Sequence, residues 1–275
     1  MIKENPVSET RTSSDFHVEV SPEQIASFRE NGFLSIERIT TDEELVWLRG
    51  LYDDLFLNRT GEADGDFFDL AGRRGQSGEA ALPQILRPEA KRPELTDTIY
   101  ARNARRLGAQ LLGVDPGTLD PYSHMIYKPA RFGKETPWHQ DEAYWKPELT
   151  YHSLSVWMPL DDATVDSGCM QFIPGSHEAQ VRVHRHIDDD PLVHGLLTDD
   201  VQSRAAVPCP LPPGGATFHH CRMLHYAGPN TTDAPRRAYI QIMNAPPTAN
   251  AQPQDRPWQQ DEVAALARLA TEKDS

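Results

Sequence analysis

Two regimes of apolar spacing divide the chain. Up to about residue 113 apolar positions recur at helical intervals, and beyond Tyr122 they fall in short runs broken by Pro and Gly. Ser21-Pro22-Glu23-Gln24 offers an N-cap serine, a proline at the first helical position and a glutamine placed to complete a capping box, so a helix is expected to start there and stop near Gly32. Phe33 to Ile36 reads as a short strand. Thr41-Asp42-Glu43-Glu44 opens a second capping box, after which Leu45, Leu48, Leu51, Tyr52 and Leu55 share one helical face. A third helix is expected from about Glu94 to Leu112, closed by Gly113.

Strands are expected at Met125–Tyr127, Ser153–Met158, Met170–Ile173, Ala216–Phe218 and Ala238–Met243. Helices followed by a strand series predict an all-β core with flanking helices, a jelly-roll sandwich or barrel buttressed from the N-terminal side. Residues 58–92 lack periodicity and read as an irregular surface excursion. Residues 178–207, with His184, His186, Asp188 to Asp190 and His194, read as an insertion into the strand series. Pro246 to Pro257 is expected to leave the core, and Glu262 to Glu272 to form a closing helix. The chain is thus expected to be one domain: a polar leader over 1–20, a helical buttress and loop over 21–115, a β core over 120–245 and an extension over 246–275.

Charge and cysteine content narrow the partners. With 27 Lys+Arg against 41 Asp+Glu, the net charge of -14 opposes binding to nucleic acid or an anionic membrane face. No stretch approaches the roughly 20 apolar residues of a membrane span. The three cysteines form no CxxC pair, so neither a disulfide framework nor a thiolate zinc site is indicated, and a cytoplasmic location is expected.

The chemistry concentrates in Trp138-His139-Gln140-Asp141. Residues i and i+2 of an extended strand project from one face, so His139 and Asp141 can present an imidazole and a carboxylate to one metal ion. A third ligand must come from elsewhere, and His219, His220 and His225 compete for that place. Two histidines and one carboxylate on one side of an ion leave its other side open, the arrangement of non-haem Fe(II) oxygenases. The HxD triplet alone is weak evidence in a chain with 11 histidines.

Further text carries a resemblance: Tyr127-Lys128-Pro129, Trp157 with Leu160-Asp161-Asp162-Ala163, the run from Gly168 to His177, and His225 through Gly228-Pro229-Asn230 to Arg236. In order and spacing these motifs resemble the phytanoyl-CoA dioxygenase family over roughly Tyr122 to Met243. The resemblance implies a double-stranded β-helix fold, Fe(II), and 2-oxoglutarate and O2 as cosubstrates. It implies that His139, Asp141 and His225 are the metal ligands and catalytic centre, that Arg236 binds the far carboxylate of 2-oxoglutarate, and that Trp157 lines the cosubstrate pocket. The expected activity is hydroxylation or desaturation of a small organic molecule, with release of succinate and CO2.

Two positions qualify that expectation. Many members of the family carry serine two residues after the distal histidine, where this chain has Ala227, so another donor must face the cosubstrate carboxylate. Members that halogenate replace the metal carboxylate by a small residue, whereas Asp141 is retained. Other residues read as structural: Trp157 equally as core, His177 as a loop lock, His184 and His186 as lid or surface residues, Asp188 to Asp190 as a solvated turn, and Arg237 as an outward charge. Specificity is expected in 58–92 and 178–207. The competing reading is a cupin-type barrel that binds a small ligand or zinc without catalysis. It has no use for Arg236.

Overall fold

The computed structural model describes residues 16–76 and 78–273, so most of the expected leader lies outside the described residues. Both early helices form as their caps dictate. In α1 (Pro22–Asn31) Ser21 accepts from the Gln24 amide while the Gln24 side chain accepts from Ser21 N–H. Gly32 ends the helix in the left-handed region at φ 82°, and a Cβ there would meet the His177 ring at 2.3 Å. The His177 Nε2 bond to Arg29 O (3.1 Å) ties the two segments, so the loop-locking role holds. After β1 (Phe33–Ile36), α2 (Asp42–Leu57) buries Leu45, Leu48, Leu51, Tyr52 and Leu55. The third helix is shorter than its periodicity suggested: Pro93–Asp97 is a 3-10 turn, and α3 (Ile99–Leu112) restarts on a Thr98 cap. Glu44 of α2 adds a second cap, accepting from the Ile99 and Tyr100 amides at 2.6 and 2.8 Å.

Residues 58–92 contain order that their Gly- and Asp-rich composition conceals. Here β2 (Phe67–Asp69) pairs with β3 (Pro83–Leu86), and β3 in turn pairs with β4 (Asp120–Lys128). Following β4 come β5 (Thr136–His139), β6 (Ser153–Pro159), β7 (Met170–Phe172), β8 (Val207–Cys209), β9 (Ala216–His220), β10 (His225–Ala227) and β11 (Arg236–Asn244). One antiparallel sheet runs β1-β9-β6-β11-β4-β3-β2, and a smaller one β8-β7-β10-β5. The two sheets form a jelly-roll sandwich without full closure.

Strand alternation sets its two sides. From the large sheet, Leu154, Val156, Met158, Phe218, Tyr239 and Met243 pack against the helices in the main core. The alternate positions Ser155, Trp157, Arg236 and Ile240 point between the sheets. Ser153–Pro159 is buried throughout, so its inner serines lie out of solvent as well. Arg237 does face outward, but not as a free charge: its guanidinium bonds Asp53 of α2 at 2.7 Å and Asp161 at 2.8 Å, clamping helix to sheet.

The insertion and the C-terminal extension are more deeply involved than expected. His184 and His186 are each only 4% exposed, which corrects their reading as lid or surface residues. His186 bonds Val193 O and Trp258 O, and His184 Nε2 accepts from the Gln140 amide. Burial explains the downward shift of the His184 imidazole to about 4. Their cover is α4 (Pro257–Lys273), which starts five residues before the expected Glu262 and buries Trp258. The Pro-rich approach does leave the core, with Pro246 to Ala249 and Ala251 to Pro253 exposed, and it returns at Arg256, which is buried and donates to Glu142 O and Trp145 O. Asp188 to Asp190 do form a turn, with Asp190 paired to Arg73 and Asp189 to Arg185.

Candidate active site

His139 closes β5 and His225 opens β10, and the two are paired directly across the small sheet. Each ring is fixed from behind. His139 Nδ1–H donates to Pro137 O at 2.8 Å and His225 Nδ1–H to Met223 O at 2.9 Å, which leaves both Nε2 atoms free to bind a metal. Asp141 lies outside the strand, at the start of the 3-10 turn Asp141–Tyr144. Gln140 keeps extended geometry (φ -124°, ψ 132°), so the same-face projection of positions 139 and 141 survives. Asp141 Oδ1 lies 3.7 Å from His139 Nε2 and 3.5 Å from His225 Nε2. One ligand atom from each of the three residues lies within 4.8 Å of the others, the spacing of a single ion's donors.

The local charges suit that use. Burial lowers the pKa of both imidazoles and so keeps them neutral, as metal ligands must be. Burial alone would raise the Asp141 carboxyl, but the neighbouring imidazoles, His225 foremost, hold it well below the carboxylate range. His220 points away from this cluster, with its ring 5.5 Å from that of His177. His219 does face the cluster, with Nε2 3.3 Å from Asp141 Oδ2.

A cavity of about 630 Å3 opens between the sheets, and the three residues line its wall. Arg236, 1% exposed, begins β11 within it. Among the described residues its Nε and Nη1 have no partner, and burial brings its pKa down to about 10. Unpartnered buried guanidinium donors are costly unless an acceptor arrives, and a carboxylate is the acceptor best suited to a guanidinium. Trp157 stands beside it, with the guanidinium carbon 5.3 Å from the ring centre. Lys128, the cross-strand neighbour of Arg236, is also buried, but it is committed to Ala227 O and Gly228 O.

The phytanoyl-CoA dioxygenase (PhyH) family model matches residues 28–238. The chain belongs to the phytanoyl-CoA dioxygenase family. Mouse phytanoyl-CoA dioxygenase domain-containing protein 1 is 27% identical over 274 residues, covering 82% of this chain and 91% of that one. EvdO2 from Micromonospora carbonacea var. aurantiaca superposes with TM-score 0.78 at 45% identity, over 87% of this chain and 96% of EvdO2. A second EvdO2 structure, at TM-score 0.76, holds 2-oxoglutarate. EctD from S. alaskensis, solved with 2-oxoglutarate and 5-hydroxyectoine, shares the fold at TM-score 0.63 and 23% identity, over 88% of this chain and 81% of that one. This member of the phytanoyl-CoA dioxygenase family is therefore an Fe- and 2-oxoglutarate-dependent oxygenase.

Several cavity residues carried no sequence signal. Thr136, His124, Tyr144 and Ser155 line the cavity, and so does His194 of the insertion, whose Nδ1 lies 2.7 Å from Glu262 of α4. Of the segments expected to set specificity, 58–92 contributes Leu70, Gln84 and Leu86 and 178–207 contributes His194. The aromatic wall of Tyr122, Tyr144, Trp145 and Tyr151 comes from neither.

Proposed function

We propose that His139, Asp141 and His225 hold Fe(II), that Arg236 pairs with the far carboxylate of 2-oxoglutarate, and that Trp157 packs beside that cosubstrate. One observation carries this reading: a buried arginine with unpartnered donors opens into the cavity that holds the His-Asp-His cluster. When bound, iron and 2-oxoglutarate would, together with O2, supply an oxidant able to attack an unactivated C–H bond, one oxygen atom going into succinate as CO2 is released and the other to the substrate or to water. The chain's own residues fix the ligand geometry, neutralise the cosubstrate and keep the oxidised carbon out of bulk water.

The cosubstrate end lacks the serine expected where Ala227 stands, and Thr136 supports an alternative. Its neighbours explain why it faces inward: Ala227 pairs with Thr136 and His225 with His139, so one intervening residue on β10 stands against two on β5. That bulge turns Thr136 to the same side as His139, while Trp138 stacks on Tyr226 at 5.3 Å. Thr136 thus donates to the 2-oxoglutarate carboxylate in this reading.

The substrate is a small organic molecule that is neutral or cationic. Among the described residues lining the cavity, Arg236 is the one Lys or Arg, and it is assigned to the cosubstrate, while Asp120 adds a carboxylate. Tyr122, Tyr144, Trp145 and Tyr151 offer ring faces, and Gln84 and His124 offer polar contacts. Burial lowers the His124 pKa to about 4, so it meets the substrate uncharged. Hydroxylation or desaturation follows from retention of Asp141. The helical lead, sandwich and extension are read as one catalytic domain, located in the cytoplasm, where the buried free thiols Cys169, Cys209 and Cys221 stay reduced. No described helix is long and apolar enough to cross a membrane.

The test is succinate formation from 2-oxoglutarate with Fe(II) under air, screened across neutral and cationic metabolites for stimulation. Turnover that survives Arg236→Ala and Asp141→Ala unchanged would remove both residues from the site.

A further inference from the structure

The two oxygens of Asp141 have different surroundings. Oδ1 faces His139 and His225, whereas Oδ2 is backed by the opposite sheet: Ser155 Oγ donates to it at 2.5 Å and His219 Nε2 lies 3.3 Å away. Ser155 and His219 are cross-strand partners on β6 and β9, so a single rung of the large sheet meets a carboxylate that the small sheet presents. His219 is 2% exposed, and among the described residues neither of its ring nitrogens has an aligned hydrogen-bond partner. Its ring is boxed in by His225 at 4.5 Å and Phe172 at 5.2 Å between centroids. An imidazole without aligned bonds is costly at this depth unless the charge beside it is what holds it there.

Resting on the proposed iron-site reading, we infer that His219 and Ser155 are positioning residues. They engage Oδ2 and so hand the metal Oδ1 alone, one oxygen rather than two. A carboxylate fixed in that way occupies one coordination position and leaves the others for cosubstrate and oxygen. His219 is not itself a ligand in this account, because its Nε2 addresses the oxygen turned away from the other two imidazoles. Fixing a ligand from behind is worth about 10- to 100-fold in metal affinity in well-studied sites.

The experiment uses the full chain and Co(II) as the probe metal. Affinity is measured by competition with a chromophoric chelator, and coordination is read from the visible ligand-field bands. His219→Phe keeps ring volume against Phe172 and should weaken Co(II) binding about 10-fold or more, with a change in band intensity, and Ser155→Ala should add to the loss. His219→Gln, which restores a donor, should recover most of the affinity, and it serves as the decisive variant if His219→Phe does not fold. Two results overturn the inference: Co(II) affinity and spectrum unchanged in the His219→Phe, Ser155→Ala double variant, or loss in His219→Gln as complete as in His225→Ala, which would make His219 a ligand. Asp141→Ala separates this from the underlying reading. If Co(II) binds that variant normally the metal assignment itself fails, and if binding is lost there but intact in the double variant only the positioning role fails.

Discussion

Thr136 and Ala227 lie opposite one another across a β-bulge, and the threonine's side chain faces the cavity that Arg236 enters. A hydroxyl on one strand therefore stands across from the methyl group where a hydroxyl was expected on the other. Thr136→Val keeps the shape and removes the donor, and should weaken 2-oxoglutarate about 10- to 150-fold, the range of a hydrogen bond to a charged group. Adding Ala227→Ser to that variant should restore much of the affinity. Calorimetric titration of 2-oxoglutarate into the metal-loaded protein checks both, and an unchanged affinity in Thr136→Val would return the donor to water.

Arg236→Ala should cost 2-oxoglutarate binding on the order of 2 to 5 kcal/mol while leaving metal affinity nearly intact. The separation follows from the structure, since no hydrogen bond or ion pair joins Arg236 to His139, Asp141 or His225 among the described residues, and its buried neighbour Lys128 is already committed to two carbonyls. Parallel titrations with metal and with 2-oxoglutarate read the two effects independently. Equal losses in both would mean that the arginine supports the fold rather than the cosubstrate.

Much of this site was legible in the sequence because its determinants are local or regularly spaced. The Ser21 and Thr41 caps, the HxD triplet and the 11-residue interval from His225 to Arg236 survive whatever the rest of the chain does. What could not be read depends on pairing between distant segments. Phe67–Asp69 and Pro83–Leu86 are too short to show alternation and become strands only on the edge that Asp120–Lys128 provides. His184 and His186 look like surface residues in a polar stretch until Trp258, over 70 residues later, covers them. Thr136 needed the bulge, and the place of His219 at the back of Asp141 needed the register that sets it beside Ser155 rather than across from His139.

The buried imidazoles predict how the apoprotein responds to acid. His124 and His184 are lowered to about 4 and His220 to about 3, from an unfolded value of 6.5, in each case chiefly by burial. Between those limits the unfolded chain binds more protons than the folded one, so stability falls as pH drops below about 6.5 and goes on falling toward about 4. Each group contributes at most about 1.4 kcal/mol per pH unit in that window, less for the half-buried His124 and His220. Urea midpoints measured from pH 7 to 4.5 should decline steadily, and His184→Gln should flatten the slope. A midpoint independent of pH would show these groups to be protonated in the folded state.

Trp258→Ala should destabilise the protein by about 3 kcal/mol or more, as for other buried aromatic truncations. The indole is 5% exposed, donates to Ala143 O at 3.0 Å and packs against His184, so its loss also frees the turn that Asp141 begins. Thermal melts should show the destabilisation, with Trp258→Phe recovering part of it. Metal affinity should fall in Trp258→Ala even well below the melting temperature. Unchanged affinity at full occupancy of the folded state would show that the turn holds itself.

Retention of Asp141 bears on the reaction outcome. Its Oδ1 lies within 3.7 Å of the His139 and His225 Nε2 atoms, so in the proposed site the carboxylate would fill the position a halide needs in order to reach the metal. Wild-type enzyme turning over in high chloride should give products heavier by one oxygen or lighter by two hydrogens, with no chlorine isotope pattern in the mass spectrum. Asp141→Gly opens that position, but it also removes the one negative ligand that keeps the cluster attractive to a cation, so metal affinity and hydroxylation should both drop steeply. Ser155 and His219, left facing an empty place, would not substitute for the carboxylate, since neither carries a negative charge. A chlorinated principal product from the wild type would show that Asp141 leaves the metal during turnover.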